Sequence, residues 1–180
     1  MAGSKIIAAV RSSEELAAAI SSGADTVFML APNIEELQGQ LEAVHRAGKK
    51  LFIHIDLAEG IGKDEYGIRY VKRMGVDGII STRTNIIRTA RKAGMFTVQR
   101  FFIVDSHSVN TTIESSLASK ADMIEIMPGT MAKIIQRLKK VLSMPIVAGG
   151  LIETASEVNE ALGCGADAIS TGKKELWGIL

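Results

Sequence analysis

Residues 145–172 read PIVAGGLIETASEVNEALGCGADAISTG. The apolar run PIVAGG (145–150) has the composition of a buried strand and breaks into two glycines. Thr154-Ala155-Ser156-Glu157 then sets a capping hydroxyl and a carboxylate at the start of a helical pattern, where the orphan N–H groups and the positive end of the helix dipole favour both. Gly165 closes that pattern, and AISTG (168–172) starts the next strand-like run. Strand, glycine turn, capped helix, glycine and strand make one complete round of a repeating plan.

The same plan runs outward through the chain. Strand-like runs occur at IIAAV (6–10), TVFML (26–30), LFIHIDL (51–57), GIIST (78–82), FTVQRFFI (96–103) and MIEIM (123–127), as well as the two above. Helix starts are expected at Ser12-Ser13-Glu14-Glu15, Asn33-Ile34-Glu35-Glu36, Thr84-Asn85 and Thr130, and helix ends at Gly23, Gly48, Gly75 and Gly94. Eight rounds of strand then helix imply a parallel sheet covered by helices, and eight strands favour closure into a (β/α)8 TIM-barrel-like fold. The expected organisation is one ligand-binding domain over residues 1–180, with short loops, some helices of a single turn and a curtailed last helix in KKELWGIL. An aromatic content of 4% predicts a barrel interior filled by Val, Ile and Ala.

Composition narrows the function classes. No apolar run approaches the roughly 18–20 residues of a membrane span, and MAGSKIIAAVRSSEEL is too weakly apolar for a signal peptide, so a cytoplasmic protein without membrane contact is expected. The single cysteine, Cys164, allows no internal disulfide and forms no metal pattern; a small buried thiol is expected there, and no cofactor is implied. Net charge is +1, but residues 63–100 hold nine Lys and Arg against three Asp and Glu, while both ends of the chain are acidic. In a round fold that middle becomes an electropositive sector.

In such a barrel, ligands meet the loops after the strands' carboxyl ends, and phosphate commonly binds after strands seven and eight. By count, those loops are GG at 149–150 and STG at 170–172. Gly149 and Gly150 let backbone N–H groups approach an anion, and Ser170, Thr171 and Gly172 add hydroxyls and amides. The other strand ends supply Arg11, His54, Asp56, Glu59, Arg83, Arg100 and Glu125. Strand periodicity aims His54 and Asp56 to one side and sends Ile53 and Ile55 towards the helices. A buried carboxylate there requires a partner, which Arg83 or Arg100 can supply. Nothing demands catalysis: there is no nucleophile elbow, and no strand carries a lysine for a Schiff base, because Lys50 precedes strand three and Lys173 and Lys174 open the last helix.

The remaining feature is cationic. TRTNIIRTARKAG holds Arg83, Arg88, Arg91 and Lys92, and TMAKIIQRLKKVL holds Lys133, Arg137, Lys139 and Lys140, neither with an acidic residue. Arg69, Lys72 and Arg73 add a basic third helix. A charged helix face is ordinarily only solvated surface, but three together form a plausible footprint for a phosphate backbone. Tyr66, Tyr70 and Trp177 are the few aromatic groups available for base stacking.

HIDLAEGIGKDEYG (54–67), IISTRTNII (79–87), VQRFFIVD (98–105), DMIEIMPG (122–129), IVAGGLI (146–152) and ST followed by LW (170–177) together resemble the glycerol-3-phosphate-responsive antiterminators of bacterial glycerol uptake operons. The likeness covers nearly the whole chain in order and spacing. It implies a small regulatory barrel that binds glycerol 3-phosphate and leader mRNA, letting transcription pass a terminator. It further implies Asp56, Arg83, Arg100, Glu125, Gly149, Gly150 and Ser170 as pocket residues. By their chemistry, the glycines and Ser170 suit the phosphate, an arginine its counter-charge, and Asp56 or Glu125 the glycerol hydroxyls.

Three functions are therefore open. In the first, ligand biases a conformation or a homo-oligomer that presents Arg88, Arg91, Lys92, Lys133 and Arg137 to RNA. The second is a phosphate-binding barrel enzyme acting on a small phosphosugar or glycerol phosphate. The third is a ligand-binding module whose partner is another protein.

Overall fold

The computed structural model describes residues 4–180. Eight parallel strands, β1 (Ile6–Val10), β2 (Thr26–Met29), β3 (Lys50–His54), β4 (Gly78–Ser81), β5 (Phe96–Phe102), β6 (Met123–Met127), β7 (Ile146–Gly149) and β8 (Ala168–Thr171), close into a barrel in chain order. The seam is β8 against β1, with Ile7 opposite Ser170. Seven helices cover it: α1 (Ser13–Ile20), α2 (Ile34–Arg46), α3 (Glu65–Met74), α4 (Thr84–Lys92), α5 (Ser106–Ser119), α6 (Ala132–Lys139) and α7 (Ala155–Gly163). In the eighth position there is only one 3-10 turn, Lys174–Leu176, which is the expected curtailment. The seven α-helices run 8–14 residues, and single turns occur here and in a 3-10 turn after β3.

Local chemistry explains most boundaries. Ser12, Asn33 and Thr154 cap α1, α2 and α7, and Thr154 exchanges bonds with Glu157 in a full capping box. Two expected starts differ. Arg83 and Met131 occupy the N-cap positions of α4 and α6 without a side-chain cap bond, so Thr84 lies inside its helix and Thr130 stands one residue before the cap. Both helices are held instead by burial of one face, Ile86, Ile87 and Ala90 in α4, Ile135 and Leu138 in α6.

Alternation along the strands makes two cores. Ile53 and Ile55 belong to the layer between barrel and helices, while Ile7, Phe28, Phe52, Ile80, Val98, Met123, Val147 and Ala168 fill the barrel. Two rings join the aliphatic side chains of the interior: Phe28 and Phe52 stack with centroids 5.6 Å apart, and Phe52 meets the exposed Phe96 at 5.5 Å. Trp177 is 1% exposed and donates its indole N–H to the Thr171 carbonyl, 2.8 Å away, anchoring the segment after β8. Lys50 is the first residue of β3 rather than outside it, at the end remote from the carboxyl-terminal loops. Cys164 is half-buried at the C-cap of α7, not fully buried as expected, since it stands one residue past the end of the helix. No helix among the described residues is long and apolar enough to cross a membrane.

Candidate ligand cleft and basic outer face

A cleft of about 400 Å³ opens where β5, β6, β7 and β8 end, and Arg11, Arg100, Glu125, Gly150, Ser170 and Lys173 contribute to its walls with Thr171 and Gly172. At its floor lies a buried ion pair: Arg100 Nε donates to Glu125 Oε2 at 2.6 Å, with side chains 7% and 1% exposed. Strand register brings them together, since Arg100 and Glu125 are directly opposed in the β5–β6 ladder. The other carboxylate oxygen, Glu125 Oε1, is buried without a hydrogen-bond partner among the described residues. In so dry a place an oxygen without a partner is costly.

Gly149 explains how Glu125 fits. A Cβ there would lie 2.3 Å from Glu125 Oε1, so the missing side chain makes room for the carboxylate. Gly150 plays a different part. It has φ 72° and is followed by Leu151 at φ 57°, so two successive left-handed residues turn the chain over the cleft. Leu151 is 69% exposed, and its unfavourable backbone is retained with little side-chain burial to offset it. Across the cleft, the Thr171 hydroxyl donates to the Ile152 carbonyl at 2.8 Å and accepts from Lys173 N–H, fastening the seventh loop to the eighth. Ser170 is nearly buried beside it. Lys173 Nζ stands 3.7 Å from Glu153 Oε1 at the rim.

Asp56 and Arg83 are not among the residues that line this cleft. β3 ends at His54, and residues 55–57 form a 3-10 turn, which removes Asp56 from the strand alternation that would aim it inward. Its carboxylate accepts from the Ser81 hydroxyl at 2.7 Å, Thr82 N–H at 2.8 Å and the Thr82 hydroxyl at 2.9 Å. Burial opposes its charge, but these bonds prevail and hold it below the usual carboxylate range. Asp56 therefore clamps the loop before α3 to the loop before α4. Arg83 is exposed at the cap of α4. His54 stays inside, 4% exposed; burial and the nearby Arg100 charge lower its pKa to about 4, so the ring is neutral at neutral pH.

Residues that sequence reading passed over complete the wall: Glu15, Leu30, Met127, Leu151 and Ile152. Glu15 accepts from Arg11 N–H at 2.6 Å and so shapes the first loop. A strand-end apolar residue signals only core, so Leu30 and Met127 carried no mark of the cleft in the sequence.

On the outside, Arg88, Lys92, Lys133 and Arg137 are exposed. Arg91 Nη1 is 2.8 Å from Asp122 Oδ1 and also bonds the Lys120 carbonyl, so its charge is partly committed. Arg137 reaches Asn110 of α5 at 3.3 Å. The α5 helix, which has no lysine or arginine, separates α4 from α6, and the basic surface consequently falls into an α3–α4 sector and a separate α6 face.

Comparison with known proteins agrees with this architecture. The family model described as glycerol-3-phosphate responsive antiterminator matches residues 6–177. The glycerol uptake operon antiterminator regulatory protein of Listeria monocytogenes superposes with a TM-score of 0.92 at 32% identity, covering 98% of this chain and 96% of that one. A glycerol uptake operon antiterminator-related protein of Thermotoga maritima gives 0.87 at 33% identity over 98% of this chain and 99% of that one. The uncharacterized protein YgcP of Escherichia coli (strain K12) is 35% identical over 173 residues, 96% of this chain and 91% of that protein. Aldolases at 12–16% identity share the fold alone. With near-complete coverage by the family model and by full-length relatives, the chain belongs to the glycerol-3-phosphate responsive antiterminator family.

Proposed function

We propose that the protein senses glycerol 3-phosphate in the strand-end cleft and, in response, binds the leader mRNA of a glycerol uptake operon in the cytoplasm as a transcription antiterminator. The observation that carries the ligand assignment is the Arg100–Glu125 pair with its free Oε1, set beneath a loop in which Gly150 and Leu151 are both left-handed. Glu125 accepts from the glycerol hydroxyls. The phosphate lies higher, against Gly150, Ser170, Thr171 and Gly172, with Lys173 or Arg11 as counter-charge. Asp56 and Gly149 support this site from behind, Asp56 by joining two loops and Gly149 by admitting the Glu125 carboxylate. Arg83, exposed at the N-cap of α4, lies outside the cleft lining and has no assigned contact with the ligand.

A regulator is favoured over an enzyme because the cleft offers a buried ion pair but no strand-borne lysine and no histidine paired with a nucleophile; His54 is held neutral and enclosed. Differential affinity of the ligand for two conformations or assemblies then shifts RNA binding. Calorimetric titration with glycerol 3-phosphate, joined to filter binding of leader RNA with and without it, tests the reading. Binding that weakens at least about tenfold in Glu125→Gln supports the site. RNA affinity independent of glycerol 3-phosphate at every salt concentration refutes the coupling, and turnover of the phosphate ester favours an enzyme.

A further inference from the structure

We propose that the outward faces of α3 and α4 form one surface for single-stranded RNA, with Tyr66 and Tyr70 as stacking platforms and Arg73, Arg88 and Lys92 as phosphate contacts. The inference rests on the regulatory reading above and says where, and to which form of RNA, the protein binds.

Helix geometry assembles the surface. Tyr66, Arg69, Tyr70 and Arg73 stand at i, i+3, i+4 and i+7 and so share one stripe of α3, opposite the buried Gly67, Ile68 and Val71. Asn85, Arg88 and Lys92 follow the same spacing on α4, opposite Ile86, Ile87 and Ala90. The two helices follow adjacent, paired strands, and Lys72 Nζ bridges them by donating to the Ala93 carbonyl. At the barrel mouth, Asp56 ties the loops that lead into both. Neighbouring helices lie roughly 8–10 Å apart, close enough for one strand of nucleic acid to cross both stripes.

Charge and exposure then choose the partner. No acidic residue occurs in α4, and the one in α3, Glu65, is turned along the helix to Arg69. Arg73, Arg88 and Lys92 have no carboxylate within ion-pair distance among the described residues, whereas Arg91, on the flank of α4, is spent on Asp122. Tyr66 is 79% exposed and Tyr70 37%, and both lie on the arginine-bearing stripe of α3. Solvent-facing tyrosines interleaved with arginines suit unstacked bases; a duplex hides its base faces and would leave these rings idle. The surface ends at α5, where Ser106–Ser119 contributes no cation and adds Glu114.

Fluorescence anisotropy with three labelled probes tests this: a leader transcript of a glycerol uptake operon, an oligo(U) strand and an RNA duplex of equal length, each with glycerol 3-phosphate present. Wild-type protein is expected to prefer the leader and oligo(U) to the duplex. Arg88→Ala/Lys92→Ala should lower the slope of log affinity against log salt by roughly 1.4, two phosphate contacts on a single strand. Tyr66→Ala should weaken binding roughly tenfold, and Tyr66→Phe, which keeps the ring and loses only the hydroxyl, should restore it. Lys133→Ala/Arg137→Ala, across α5, should shift affinity by no more than about twofold. Unchanged binding in the α3 and α4 variants, or a loss confined to the α6 pair, overturns the surface while leaving the regulatory reading standing. Failure of the wild type to bind leader RNA under any condition removes that reading, and the surface with it. All the substituted side chains are exposed, and a thermal melt of each variant separates lost binding from lost folding.

Discussion

Gly149→Ala is the most searching perturbation of the cleft. A Cβ at this position would sit 2.3 Å from Glu125 Oε1, 3.0 Å from its Cδ and 3.1 Å from its Cγ. An ordinary contact needs about 3.4 Å or more, so the carboxylate must retreat by roughly 1 Å, in a core where shape changes of one methyl are resisted. That retreat acts on a bond of 2.6 Å to Arg100 Nε, and both groups are almost fully buried. Overpacking typically costs about 1–3 kcal/mol, and separating a buried ion pair about 3–5 kcal/mol. Because the pair is stretched rather than deleted, the expected loss is about 2–4 kcal/mol, or roughly 5–15 °C in thermal midpoint for a chain of this size. Urea denaturation and a thermal melt measure it. Shortening the partner in Gly149→Ala/Glu125→Asp makes room for the methyl, so the double variant should be less destabilised than the two single losses added together. A midpoint within about 2 °C of wild type in Gly149→Ala, or strict additivity in the double variant, would refute the steric account of this glycine.

The other expected outcomes concern strain and protonation. Leu151→Gly relieves a left-handed residue whose side chain is mostly exposed, so urea denaturation should show unchanged or higher stability, by up to about 1 kcal/mol; a loss larger than that would mean the leucine contributes packing. The His54 pKa is lowered to about 4 by burial and by Arg100, so the unfolded chain binds the proton first as pH falls. Stability present above the unfolded value of about 6.5 should decline towards pH 4, by at most roughly 3 kcal/mol, and His54→Phe should flatten that decline in urea midpoints taken at pH 7 and pH 5. Asp56 is depressed, so its contribution is present above the ordinary carboxylate pKa of about 4 and fades below it; Asp56→Asn should remove part of the acid sensitivity and loosen the loops before α3 and α4 to hydrogen exchange.

The residues of the cleft show where local reading reaches its limit. Loops seven and eight were legible because glycine and hydroxyl residues in GG and STG follow apolar runs at fixed places in an eightfold repeat, and a barrel always puts such places at one end. The partners inside the cleft were legible only as types. Arg100 and Glu125 are 25 residues apart, and their pairing depends on the β5–β6 register, which brings them opposite one another. Asp56 misled a period-two reading because β3 stops at His54 and the chain winds into a 3-10 turn, a change made by its bonds to Ser81 and Thr82 on the next loop. Lys133 and Arg137 were grouped with Arg88 by their charge, although the cation-free α5 segment stands between them along the chain as it does around the barrel.

By itself, then, the sequence determined the alternation of strand and helix, the closed parallel barrel and the family, because each depends on patterns that repeat within a few residues or recur in order along the chain. Tertiary structure alone decided which charges are neutralised in pairs, which oxygen of Glu125 is left free, why Gly149 has no side chain and which helix faces stand side by side. Those depend on register and closure, which bring residues from distant rounds within ångströms of one another and remove the water that would otherwise screen them.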